Sequence, residues 1–185
     1  MNYCSLPIGN NSPSNINVVI EISKDTNTKY EYDPDLNVFV LNRCLISSMR
    51  YPVNYGFVPQ TIADDNDPLD ILVYSTSTIV TGALIKNCRV IGGLNMEDQG
   101  QKDYKLIVVP EYDNKNINDI HHVSDEFLNI TKDFFKNYKN LIGKNVTVKG
   151  WFGKRKAHKI VTTSHNNWLN EQDRLTDYTP NEFAL

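Results

Sequence analysis

Ile16-Asn17-Val18-Val19-Ile20-Glu21-Ile22 is the stretch from which the fold is read. Five of its seven residues are β-branched and apolar. Such side chains are stiff at χ1 and pack well on a pleated surface, so a strand is predicted over 16–22. Just downstream, 29–33 alternates. Lys29, Glu31 and Asp33 fall on one face and Tyr30 and Tyr32 on the other, as a strand requires. Further strand-like segments follow at 38–41, 56–58, 71–74, 83–92, 104–109 and 146–151. Turn-forming Asn, Asp, Gly and Pro residues separate them. Short strands at this spacing predict an α+β chain that is mainly β, built as a closed or nearly closed barrel.

One helix is expected near 125–141. Ser124 can cap its N-terminus, Asp125 and Glu126 complement the first turn, and Gly143 can stop it. Phe127, Ile130, Phe134, Tyr138 and Leu141 recur at steps of three or four, which gives one apolar face. A weaker helical pattern runs over 157–169 through Ile160, Val161 and Trp168. A single domain is expected over 1–170, followed by a polar tail over 171–185 that Tyr178 and Phe183 could dock.

Composition excludes several classes. The chain has 185 residues, 40% hydrophobic and 22% charged, which suits one globular domain with a sizeable core. A net charge of -3 gives no positive field for nucleic acid or an anionic membrane. An OB-fold that binds single strands would need a positive track, which this acidic balance does not supply. Cys4, Cys44 and Cys88 are odd in number and unpaired in spacing, so they read as reduced packing residues of a cytoplasmic protein. The N-terminal residues have neither a basic region nor an apolar one, so no signal peptide is expected. No apolar run reaches the roughly 20 residues of a membrane helix.

The chemistry concentrates in Asp64-Asp65-Asn66-Asp67-Pro68-Leu69-Asp70. Carboxylates this close repel, at about 1 kcal/mol for charges 4 Å apart even in water. A divalent cation turns that repulsion into attraction, and oxygen-only ligands suit Mg²⁺ first and Mn²⁺ next. Taken alone, such a run is more often a solvated acidic loop than a metal site. An EF-hand is excluded, because from Asp65 the sixth position, which needs Gly, is Asp70. Elsewhere Asp98 and Asp103 flank a turn at Gly100, and Asp103 would share a strand face with Lys105. Lys29 and Glu31 form a similar pair. Each of these also has a plain reading: a surface ion pair for Lys29–Glu31, a packed aromatic for Tyr55, a helix-end cation for Lys139.

Together these segments resemble a family I soluble inorganic pyrophosphatase. The carrying residues are Val18-Val19-Ile20-Glu21-Ile22, Lys29-Tyr30-Glu31, Asn42-Arg43 and Tyr51-Pro52-Val53-Asn54-Tyr55-Gly56. They continue with Asp65-Asn66-Asp67-Pro68-Leu69-Asp70, Asp98, Asp103-Tyr104-Lys105-Leu106, Phe134-Phe135-Lys136-Asn137-Tyr138-Lys139 and Gly150-Trp151. The match covers roughly residues 5 to 152 and is closest to the compact bacterial form. The resemblance implies a five-stranded OB-like barrel with flanking helices, usually assembled as a hexamer. It implies Mg²⁺-dependent hydrolysis of pyrophosphate, with Mn²⁺ or other divalent ions as substitutes.

By the same resemblance, Asp65, Asp70 and Asp103 hold metal, supported by Asp98 and Glu31. Asp67 is the base, and Arg43 and Tyr55 act with it at the reacting centre. Lys29, Arg43, Tyr55, Lys105, Tyr138 and Lys139 bind substrate, and Glu21 and Tyr51 support the cluster from behind. Three positions depart from the family pattern. Asn66 stands where Gly is usual, Asn42 where Asp is usual, and Val53 where Cys is usual. Asn tolerates a left-handed backbone better than other residues with a side chain, so the turn at Asn66 is expected to survive.

Overall fold

The computed structural model describes residues 2–113 and 115–177. The strands are β1 (Asn15–Ile22), β2 (Thr28–Asp33), β3 (Val38–Cys44), β4 (Asn54–Phe57), β5 (Asp70–Val73), β6 (Leu84–Asp98), β7 (Gln101–Lys102), β8 (Lys105–Val109) and β9 (Val146–Gly153). Two α-helices accompany them, α1 (Asp125–Asn137) and α2 (Lys154–Asp177). The expected 16–22 strand is therefore present as β1, one residue longer at its start.

The barrel expectation takes the form of a ring of five strands. β1 pairs with β4, β4 with β5, β5 with β8, β8 with β6, and β6 returns to β1. All of these pairs are antiparallel except β5–β8. β6 is long enough to pair further on with β7 and β9, while β2 and β3 form a separate hairpin. Register shifts interrupt β1 at Ile16/Val18 and Ile20/Ile22 and β6 at Val90/Gly92. Such irregularities bend a strand and raise its twist, which a small closed sheet requires. At Gly56 the β1 backbone comes so near that a Cβ would lie 1.9 Å from the Val19 carbonyl oxygen.

Both faces of the ring are buried, which explains the continuous apolar runs. Ile71, Val73, Leu106 and Val108 join one cluster with Ala157 and Val161 of α2. Their neighbours Leu72, Ile107 and Val109 join another with Phe134 and Phe135 of α1. Each fully buried aliphatic or aromatic side chain contributes about 1.5–3 kcal/mol.

Helix limits differ from expectation. Ser124 does cap α1, accepting a hydrogen bond from the Phe127 amide at 3.3 Å. However, α1 stops at Asn137 with Tyr138 as its cap, short of 141. A 3-10 turn over Asn140–Ile142 follows and ends at Gly143, whose φ is 68°. The apolar periodicity continues across Tyr138 and Leu141, so it cannot report where the backbone tightens. α2 is longer than the 157–169 pattern and passes residue 170 unbroken. Its last two turns are mostly exposed, so no apolar period marks them. Tyr178 and Phe183 lie outside the described residues. No described helix is long and apolar enough to cross a membrane. Of the cysteines, only Cys88 is core; Cys44 is exposed and Cys4 intermediate.

Candidate active site

One cavity of about 690 Å³ collects side chains from most elements of the fold. β1 contributes Glu21, β2 contributes Lys29 and Glu31, the approach to β4 contributes Tyr51, and β4 itself contributes Tyr55. Asp65, Asn66 and Asp67 come from the loop before β5, and Asp70 from its first residue. Asp98 ends β6, Asp103 and Lys105 lie at the start of β8, and Tyr138 and Lys139 follow α1. Every sequence-predicted site residue except Arg43 lines this space. Asp64 does not; it borders a separate cavity of about 220 Å³ on another side of the loop.

The aspartate loop is a closed turn. The Ala63 amide donates to the Asp67 carbonyl at 2.8 Å, and the Asn66 amide donates to the Ala63 carbonyl at 3.1 Å. Asn66 has φ of 69°, the left-handed conformation that Asn tolerates. The Asp67 amide donates to Asp65 Oδ1 at 3.1 Å, so Asp65 helps to shape the loop from which Asp67 projects.

Positive groups stand directly against the carboxylates. Lys105 Nζ pairs with Asp70 and with Asp103, the latter at 2.5 Å. It also lies 5.5 Å from the centre of the Tyr55 ring. Burial opposes the Lys105 charge, but Asp70 and Asp103 outweigh it and hold the ammonium above its ordinary range. Lys139 pairs with Asp98, yet burial leaves its pKa below the ordinary value. Lys29 pairs with Glu31, whose other oxygen accepts from Asn42 Nδ2 at 2.6 Å. Asn42 thus binds Glu31 as well as receiving Arg43 Nη1 at 3.2 Å. β2 and β3 place Arg43 opposite Lys29, and its Nη2 is buried without a hydrogen-bond partner.

Burial and mutual repulsion still act on several acidic groups. Asp67 is raised above its ordinary range by burial first and then by Asp65, Asp70 and Glu31. Burial raises Asp103, against the pull of Lys105. Burial pushes Glu21 up to about 8, although one of its oxygens accepts the Tyr32 amide at 2.7 Å. Asp98 Oδ1 is buried with no partner. Burial also raises Tyr51, Tyr55 and Tyr138, so all three keep their hydroxyl protons, and Tyr55 hydrogen bonds to Asp70.

This donor set fits a hard divalent cation: it consists of carboxylate oxygens, crowded and under-neutralised. Among the described residues, no three acidic side chains are arranged to hold one ion as they stand. The Lys105 ammonium bridges Asp70 and Asp103 instead. Donor chemistry and present geometry therefore differ, and the chemistry decides the fit, because Asp67 is raised by its acidic neighbours and Asp98 Oδ1 has no partner.

The sequence did not indicate the outer wall of the cavity. Cys4 and Ser5 near the N-terminus, and Trp168 and Gln172 on α2, also line it. Their spacing carries no chemical signal. The packing of α2 against 60–62 brings Trp168 and Gln172 there, with Ile62 N donating to the Ser164 carbonyl at 2.9 Å and Asn167 Nδ2 to the Ile62 carbonyl at 3.2 Å, while the Gln60 amide donates to the Cys4 carbonyl at 2.8 Å.

A family model described as inorganic pyrophosphatase matches residues 18–169. An inorganic pyrophosphatase of Aquifex pyrophilus is 40% identical over 176 residues, covering 91% of this chain and 97% of the relative. A soluble inorganic pyrophosphatase of Zea mays is 40% identical over 163 residues, covering 86% of this chain and 75% of that one. The crystal structure of inorganic pyrophosphatase from Thermus thermophilus superposes with a TM-score of 0.88 at 39% identity, covering 91% of this chain and 99% of that one.

Proposed function

Because this chain belongs to the inorganic pyrophosphatase family, we propose that it hydrolyses inorganic pyrophosphate to two orthophosphates with Mg²⁺ as cofactor. The observation that carries this reading is one cavity where five aspartates meet three lysines and the hydroxyls of Tyr55 and Tyr138. A multiply charged phosphoric anhydride needs both sets, one to bind cations and one to hold its oxygens.

Asp65, Asp70 and Asp103 would hold metal, with Asp98 and Glu31 supporting. Bound divalent ions would supply charge neutralisation and a more acidic attacking water. Asp67 would accept the proton of the attacking water. Burial and its acidic neighbours hold it above the ordinary carboxylate range, and it shares the loop with Asp65 and Asp70. Lys29, Lys105 and Lys139 place positive charge against phosphate oxygens as the anhydride bond breaks. Tyr55 and Tyr138 donate hydrogen bonds without adding charge. The unpartnered Arg43 Nη2 is a donor suited to phosphate, which a guanidinium can engage with two parallel bonds. Glu21 and Tyr51 hold the cluster from behind. Mn²⁺ is the expected substitute, a hexamer the expected assembly, and the cytoplasm the expected location.

Phosphate release from pyrophosphate should require Mg²⁺, stop on chelation and greatly exceed release from ATP. Equal release from both substrates, or turnover that survives the chelator, would overturn this assignment.

A further inference from the structure

Trp168 has no part in the proposed hydrolysis, yet it borders the same cavity. Its ring has an aromatic neighbour on the same helix. His165, one turn earlier on α2, stacks nearly parallel to it, with ring centres 6.1 Å apart and 7° between planes. His165 is itself fixed, its Nδ1 lying 2.7 Å from the Gln60 carbonyl oxygen. Gln60 adopts φ of 56°, a conformation uncommon for a residue with a side chain. Its backbone amide donates a hydrogen bond to the Cys4 carbonyl at 2.8 Å, and its side-chain Oε1 accepts the Ile8 amide at 3.1 Å. Strained backbone, clamped imidazole and stacked indole together form a rigid aromatic wall that is only partly buried.

The cavity has room for more than a pyrophosphate. Its volume of about 690 Å³ falls within the roughly 300–1,000 Å³ range of sites for drug-sized ligands. Much of its lining is ionic, and Trp168, the Gln172 and Asn66 amides and the Ser5 hydroxyl line it as well. A ligand that satisfies both sets carries a diphosphate at one end and a flat ring with polar edges at the other.

We infer that the cavity also binds nucleoside 5′-diphosphates, with the diphosphate among the phosphate-binding lysines and the base stacked on Trp168, as competitors of pyrophosphate. This rests on the pyrophosphatase reading for the diphosphate end alone; the base end rests on Trp168. Base–aromatic stacking is tolerant of sequence and contributes enough for a clear change in affinity.

The test pairs two non-hydrolysable competitors that differ only in the nucleoside: methylenediphosphonate and adenosine 5′-(α,β-methylene)diphosphate. Inhibition constants are measured against Mg²⁺-pyrophosphate hydrolysis for wild type, Trp168→Ala and Trp168→Phe. Trp168→Ala should weaken the adenosine compound about ten-fold and methylenediphosphonate less than about two-fold. Trp168→Phe should restore most of the loss. An unchanged constant for the adenosine compound, or equal weakening of both, would overturn the inference. Calorimetric titration of both compounds into the Mg²⁺-loaded wild type covers a variant that fails to fold. There, adenosine-compound binding no tighter than that of methylenediphosphonate counts against the base site. If wild type binds both compounds but turns over no pyrophosphate, the hydrolytic reading fails and the base site stands.

Discussion

Asp67 sits in a turn whose other carboxylates, Asp65 and Asp70, are read as metal ligands, so its own role is separable by substitution. Asp67→Asn should keep Mg²⁺ binding while lowering kcat by about 100-fold or more, the usual contribution of a positioned base. Titration calorimetry beside phosphate release checks this; a variant within a few-fold of wild type would remove Asp67 from the base role. Lys29→Ala and Arg43→Ala should raise the pyrophosphate KM about ten-fold or more and leave the Mg²⁺ constant nearly unchanged. Parallel losses of both would count against a phosphate role. Glu21 supplies a pH signature. Its folded pKa of about 8 lies above the ordinary 4.5, so the folded state binds more protons in between. Its contribution to stability is full below about 4.5 and is lost as pH rises through about 8. Glu21→Gln mimics the protonated group and can still accept the Tyr32 amide. In chelator, the Tm of this variant relative to wild type should therefore rise by about 5 °C or more between pH 5 and pH 8.5. Tm curves that stay parallel across this range would show that Glu21 is not held protonated. Asp103-Tyr104-Lys105 and the aspartate loop were legible in the sequence because their chemistry depends on neighbours in the chain. The Asn42–Glu31 bond was not, because it depends on the β2–β3 register.

Among the elements, β4 is the most exacting. It carries Tyr55 into the cavity, and at Gly56 it runs against the β1 backbone with no space for a side chain. Gly56→Ala must push β1 and β4 apart, because the obstructing atom is a backbone carbonyl that cannot rotate away. The expected loss is about 3 kcal/mol or more, near the upper range for a point substitution. Urea unfolding measures it, and a loss under about 1 kcal/mol would show that the strands separate easily. The short 54–57 strand read from sequence as 56–58 because Tyr51-Pro52-Val53-Asn54-Tyr55 has no alternation. α1 was visible through its cap and apolar face, but its end was not. Phe134 and Phe135 pack beneath Tyr51, Tyr55 and Tyr138, so the apolar face serves the core as far as Tyr138, whereas Leu141 of the same period is exposed.

At the scale of the whole molecule, the ring gathers acidic groups that lie far apart in the chain, and folding brings them together at an electrostatic cost. Mg²⁺ should therefore raise stability by about 2.7 kcal/mol at 100 times its dissociation constant. Thermal unfolding with Mg²⁺ against chelator checks this; identical curves would mean that the cavity holds no ion. Sequence by itself determined the kind of chemistry. Carboxylates crowded into one turn, strand-sharing acid–base pairs and β-branched runs are local facts, governed by spacing and by side-chain stereochemistry. Tertiary structure alone decided how β6 closes the ring and pairs onward to β9, why Lys105 bridges Asp70 and Asp103, and which outer wall the cavity has. Those depend on strand register and on α2 packing over 60–62, contacts between distant segments whose energy arises only once the chain is closed. The Asp65–Asp70 turn was readable from its own residues. Trp168 became part of the same cavity only through the fold.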